Sequence, residues 1–190
     1  MYEPIGWYNA RRKMSRARAP LTRYLWGETR LLMDYIKAVY PPPGVFTNVK
    51  VGPLDPHVPR DGLTGAQQRL MGSFRRYADA IVVRPDEPVV IETTMVKAVT
   101  KVGPLLEYLK LVPQTPELAQ YMPRRVRGEL VSPIPDPRTE ELCKDLGLRF
   151  VVYEVDWLDK FMEQYGARFR MAPLSGLRQE FVNSRVSRLL

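Results

Sequence analysis

Asp79 and Glu92 are the residues whose types and placement suggest chemistry. They lie in two β-branched runs, 77–83 and 89–95, on either side of Arg84-Pro-Asp-Glu87, and two such runs about a Pro/Asp turn are the sequence form of a hairpin. A turn centred between Pro85 and Asp86 sets Asp79 opposite Glu92, with both carboxylates on one face of one sheet. Directly opposed Cβ atoms lie roughly 4.5–5.5 Å apart, and like charges at that range are destabilising. A sheet keeps such a pair when a divalent cation neutralises it or a Lys or Arg reaches over. Mg²⁺ takes hard oxygen ligands, commonly one or two carboxylates with water and phosphate, so the spacing suits metal-assisted phosphoryl chemistry. A register shifted by one residue would send the two side chains to opposite faces instead.

Three further residues are candidates for the same site. Lys97 and Lys101 follow the second run and could fold back over the carboxylates, with Tyr108 at helical spacing from Lys101. Glu28 falls on an apolar stripe, three after Leu25 and four before Leu32. A carboxylate on a buried face is costly unless paired or bound to a metal. Glu28 is therefore a third metal ligand, a partner of Arg75 or Arg76, or an edge residue reaching solvent. The single histidine, His57, sits among prolines, and the single cysteine, Cys143, lies in a helical pattern. Counting alone excludes histidine-based triads, the usual zinc clusters and a disulfide framework.

The elements that must position these residues follow from periodicity and punctuation. Residues 21–39 carry Leu21, Leu25, Leu32, Tyr35, Ile36 and Val39 at helical spacing, and Tyr40-Pro-Pro-Pro-Gly44 stops the helix. Residues 45–51 alternate as a strand. The stretch 52–73 is rich in Pro and Gly, with a short helix available at 64–71; a connection of this length is usually functional or mobile. After the hairpin, Val102, Leu105, Leu106, Leu109 and Val112 form an apolar stripe. Pro104 places the start of that helix near Gly103, leaving Lys97 and Lys101 in the link before it. A loop over 113–123 and a short strand at 128–132 come next. Asp136, Pro137 and Gly147 cap a helix, the apolar run 148–155 reads as a strand buried on both faces, and a short helix spans 157–165. The tail from Ser175 is amphipathic.

The domain reading is a basic arm at 1–20, an α/β core at 21–166 and a helical tail at 167–190. With 190 residues, one such core is the expected scale. No apolar run is long enough to span a bilayer and no secretory signal is present, so the chain reads as soluble, in the cytoplasm or in a virion. The formal charge of +8 makes a polyanion a plausible partner through counterion release. Arg11, Arg12, Lys13, Arg16 and Arg18 stand against one acid, Glu3, in the arm. They suit a disordered arm, a phosphate-binding arm or an organelle transit peptide. Arg75, Arg76, Arg124, Arg125 and Arg127 are further candidates for holding a nucleic-acid backbone.

The order helix, strand, Asp-bearing strand, Glu-bearing strand, helix, strand, helix, strand resembles the PD-(D/E)xK nuclease superfamily. Its carriers are Tyr77-Ala-Asp79-Ala, Val90-Ile-Glu92-Thr-Thr94, Val102-Gly-Pro-Leu-Leu-Glu-Tyr108-Leu and Gly147-Leu-Arg-Phe-Val-Val-Tyr. The resemblance covers roughly 21–158. It implies a restriction-endonuclease-like fold, a mixed central sheet flanked by helices, with Mg²⁺ held by Asp79 and Glu92 and DNA as substrate. It also implies a lysine two residues after the Glu and often a Gln in the following helix, and here those positions hold Thr94 and Pro104. Lys97 or Lys101 is then the stand-in, or the chemistry is weakened or lost. The alternative reading is a structural protein on the same fold, whose arm, 52–73 loop and tail contact other subunits, as in a phage head-to-tail connector.

Overall fold

The computed structural model describes residues 19–41, 43–53, 64, 75–84, 87–121 and 125–165, with the side chains of 19–26, 120 and 165 excepted. The basic arm up to Arg18, most of 52–73 with its expected short helix, Arg124 and the tail lie outside the described residues. The chain divides into two units, Met1–Tyr153 and Glu154–Leu190.

In the first unit, helix α1 (Ala19–Val39) leads into β1 (Val45–Val51), β2 (Arg76–Val82) and β3 (Val89–Thr93). Helix α2 (Val99–Leu111) and two 3₁₀ turns, Val112–Gln114 and Pro116–Tyr121, then precede β4 (Arg127–Ser132), α3 (Pro137–Asp145) and β5 (Arg149–Val152). The sheet runs β1-β2-β3-β4-β5. Its first two pairings are antiparallel and its last two parallel. Helices α2 and α3 are the crossovers the parallel pairs require. This five-stranded mixed sheet flanked by helices is the α/β class expected, consistent with a restriction-endonuclease-like fold.

Two apolar layers hold the helices on opposite faces. Leu32, Tyr35, Ile36 and Tyr40 of the α1 side pack against Ala80, Val82, Val89, Ile91 and Val131. Val102, Leu105 and Tyr108 of α2 pack against Ala78, Ile81, Val90 and Leu130, with Cys143 and Leu148 beside them. Tyr40 takes the last inward place of the α1 stripe, so Val39, expected inward, is exposed. Strand β3 is buried at every residue, as the centre of a covered sheet must be.

Three expectations need correction. Helix α2 begins at Val99, not near Gly103, so Lys101 sits in its first turn. Tight bonds from Thr100 N–H to Lys97 O and Lys101 N–H to Ala98 O, both 3.0 Å, start it early, and Pro104 lies inside the helix with its one missing donor. Strand β5 is a four-residue edge strand, half-buried and not doubly covered. The alternation of β1 breaks at Asn48, whose φ is +54°: Val45 packs with the α1 layer, Val49 and Val51 with the α2 layer. A left-handed residue interrupts the two-residue period, and Asn is among the few that tolerate it.

Helix α3 follows its signals. The Asp136 carboxylate accepts from Thr139 N–H at 3.1 Å and Thr139 Oγ1 at 2.7 Å, and Gly147 (φ +70°) turns the chain after it. In the second unit, Trp157, just before α4 (Leu158–Tyr165), makes a T-shaped contact with Phe161 of that helix at 5.9 Å.

Candidate functional site

Strands β2 and β3 pair as Val82↔Val89, Ile81↔Val90 and Ala80↔Ile91, and the next step of that register is Asp79 opposite Glu92. The backbone ladder ends there and the two carboxylates replace it. Asp79 N–H donates to Glu92 Oε1 at 3.1 Å, and Thr93 N–H donates to Asp79 Oδ2 at 2.8 Å. Each carboxylate thus takes an N–H of the other strand that would otherwise lack a partner. The pair meets as reciprocal caps where the strands part. Thr93 Oγ1 also donates to Asp79 Oδ2, at 2.8 Å, and fixes its orientation.

Lys101 closes the group. Its Nζ donates to Glu92 Oε2 at 3.1 Å from the first turn of α2. Glu92 is 2% exposed, and its pKa is pushed up to about 7, by burial first and by the Asp79 carboxylate second, with Lys101 pulling the other way. Burial alone would lower the Lys101 pKa, yet the charges of Glu92, Asp79 and Glu28 raise it above the ordinary lysine range. The ammonium is therefore held charged. Tyr108, seven residues on and so on the same side of α2, has its phenol pushed up by burial and by Glu92.

The other candidates fall in different places. Glu28 is buried on α1, and its carbonyl lies 3.5 Å from Thr93 Oγ1. Among the described residues no group of three or more His, Cys, Asp or Glu is placed to hold a metal ion; the Glu28 charge acts on Lys101, raising its pKa. Lys97 stands exposed in left-handed backbone (φ +53°) and reaches neither carboxylate. The Thr94 hydroxyl is buried and engaged by Val96 O and Val96 N–H of its own turn. Arg75 forms a fork with Glu117 at 2.7 and 3.0 Å and also donates to Lys50 O at 3.1 Å. Arg76 pairs with Glu107 at 3.3 Å and Arg125 with Glu87 at 3.6 Å. Arg11, Arg12, Lys13, Arg16, Arg18 and Arg124 lie outside the described residues.

Two features escape the sequence. Thr93 is one, because attention to the lysine position falls on Thr94. The other is Glu129 of β4, fully buried on the α1 face. It accepts from Tyr35 Oη and Tyr40 Oη at 2.8 Å each, with Arg127 at 3.2 Å and Arg149 at 3.0 Å. Burial and these bonds push both tyrosines upward. A Glu inside Gly128-Glu-Leu-Val131 was the available signal, since such a carboxylate must be paired.

The donor set at the open end of the ladder is oxygen only: two carboxylates side by side, with solvent-accessible space implied by the half-buried Asp79. Mg²⁺ accepts one or two carboxylates and completes its shell with water and phosphate, so these residues fit that ion. They do not fit a closed four-ligand zinc site.

No helix among the described residues is long and apolar enough to cross a membrane. No known family's sequence pattern matches the chain, and no curated protein matches it. Among solved structures, the crystal structure of a repair endonuclease from Pyrococcus abyssi is similar at 19% identity with a TM-score of 0.35. The match covers 75% of this chain and 49% of that one, so the chain spans about half the length of that protein.

Proposed function

We propose that the chain is a nuclease-like protein of the PD-(D/E)xK type that binds DNA and hydrolyses its phosphodiester bonds with Mg²⁺. The observation that carries this reading is Lys101 on Glu92 Oε2 at 3.1 Å, beside Asp79. Thr94 removes the lysine expected on the strand, and the first turn of α2 returns one to the same carboxylate. Asp79 and Glu92 would hold the ion, which would supply Lewis-acid polarisation of the scissile phosphate and a more acidic bound water. Thr93 keeps Asp79 oriented. Lys101 supplies a fixed positive charge beside the developing negative charge, a contribution commonly worth about 10²–10³ in rate. The net charge of +8 favours a polyanionic substrate. Nothing in the sequence resembles a base-reading module, so the reading implies no sequence specificity.

A second reading has one observation in its favour. Lys101 already pairs with Glu92 beside Asp79 and offsets part of their charge, as an inert scaffold for an assembly would require. Digestion of plasmid and single-stranded DNA with Mg²⁺ or Mn²⁺ separates the two. The nuclease reading expects cleavage by the unaltered protein, none with Asp79→Ala or Glu92→Ala, and a loss of about 10²-fold or more with Lys101→Met. Cleavage that persists in both alanine variants, or is absent from folded unaltered protein in both metals, would overturn it.

A further inference from the structure

The end of the sheet away from Glu92 gathers a second group of charges. Arg127 begins β4 beside Val89, the first residue of β3, and Arg149 begins β5 beside Glu129. Arg84 follows β2, its guanidinium 4.7 Å over the ring of Tyr40. Arg125 is 88% exposed at its side chain. Four guanidinium groups from three stretches of chain, the end of β2, the start of β4 and the start of β5, thus face two carboxylates, Glu87 and Glu129. Along β3, Arg127 is level with Val89, about 10 Å from Glu92 at about 3.3 Å per residue, while Glu129 and Arg149 are level with Ile91, next to Glu92. Glu129 lies on the α1 face, so the sheet itself stands between it and Lys101 of α2.

The two carboxylates do not use up the donors. Glu129 is fully enclosed and takes four partners at once, so it fixes Arg127 and Arg149 in place from beneath. Arg149 gives Glu129 only Nη1 and leaves its side chain 55% exposed. Arg127 reaches Glu87 and Glu129 through its two Nη atoms, while its buried Nε has no hydrogen-bond partner among the described residues. Tyr40 stacks under Arg84 and donates to Glu129, tying the end of α1 to the group. Guanidinium forks held by buried partners have lost their freedom before a ligand arrives, which favours bidentate capture of a phosphate.

We infer that Arg84, Arg125, Arg127 and Arg149 form a phosphate-binding site for a nucleic-acid backbone, separate from the carboxylate pair. The identity of the polyanion rests on the function proposed above; the site's geometry does not. The site grips backbone and reads no bases. It therefore acts with or without metal.

The test is fluorescence anisotropy of a labelled oligonucleotide, single-stranded and duplex, with chelator present so that no cleavage occurs. The unaltered full chain is compared with Arg84→Gln/Arg149→Gln and with the charge-matched Arg138→Gln/Lys144→Gln on α3, all checked for unchanged melting. The first pair is expected to weaken binding about tenfold or more at low salt and to reduce the slope of log affinity against log salt by about 1–2. The second pair is expected to change both much less. Equal effects from the two pairs, or no binding by unaltered protein, would overturn the inference. So would polyglutamate displacing the oligonucleotide as well as unlabelled DNA does, which would make this an acidic-protein surface. Arginine-dependent binding with no cleavage under any metal would end the nuclease reading and leave this one standing.

Discussion

Glu92 is the residue on which the site's energetics turn. Its carboxylate is enclosed beside Asp79, and Lys101 offsets only part of that penalty, so the folded chain holds the Glu92 proton more tightly than the unfolded chain does. The folded state is then favoured most below the ordinary Glu range near 4.3 and loses that advantage as pH rises through about 7. The span corresponds to roughly 3 kcal/mol. In chelator, melting temperature is expected to fall between pH 5 and 7.5 in the unaltered protein and to fall less in Glu92→Gln. Parallel curves for the two proteins would show that Glu92 ionises normally.

Thr94 illustrates how far single residues could be read in advance. The sequence places it where a lysine is expected, and a Thr94→Lys substitution looks like a repair. The fold says otherwise: Thr94 is buried, and its hydroxyl closes the turn at Val96. A lysine there would strand an ammonium among Met95, Val96 and their neighbours, at a cost of about 2 kcal/mol or more. Thr94→Lys is expected to lower the denaturant midpoint and to add no cleavage; a stable, more active variant would contradict the assignment of Lys101.

At the scale of elements, the hairpin register was legible because turn-forming residues and β-branching in the sequence agreed on one pairing, the one the strands adopt, with Val82 opposite Val89 and Ala80 opposite Ile91. Helix α3 was legible for the same reason, as cap, proline and glycine all point to one span. Asp136→Ala removes two bonds to Thr139 and is expected to cost about 1 kcal/mol by chemical denaturation. An unchanged midpoint would mean the cap is dispensable. What could not be read was set by tertiary contacts. Pro104 argued for a late start to α2, but packing of Val102 and Leu105 on the sheet outweighs one missing hydrogen bond. Asn48 carried no signal that β1 would change faces. Nor does anything local to residues 148–155 reveal that β5 is an edge, because strand order is a property of the whole sheet.

For the whole molecule, the mixed sheet separates two kinds of charge. The carboxylate pair and Lys101 lie where β2 and β3 part, on the α2 side; Arg84, Arg125 and Arg127 lie toward the other end of the sheet, and Glu129 with Arg149, level with Ile91, lies across it on the α1 side. A backbone bound at the second group leaves the first free for a cation. On the function proposed above, cation binding would be a stability term of the folded chain, since the unfolded chain does not hold Asp79 and Glu92 together. The measurement that reads this most directly is melting temperature against Mn²⁺ concentration, without nucleic acid, for the unaltered protein, Asp79→Asn and Glu92→Gln. A rise of several degrees by 100-fold above half-saturation, about 2.7 kcal/mol of linkage, is expected in the unaltered protein and in neither variant. The same curve for all three proteins, flat or rising, would mean that the opened ladder between β2 and β3 is not a cation site.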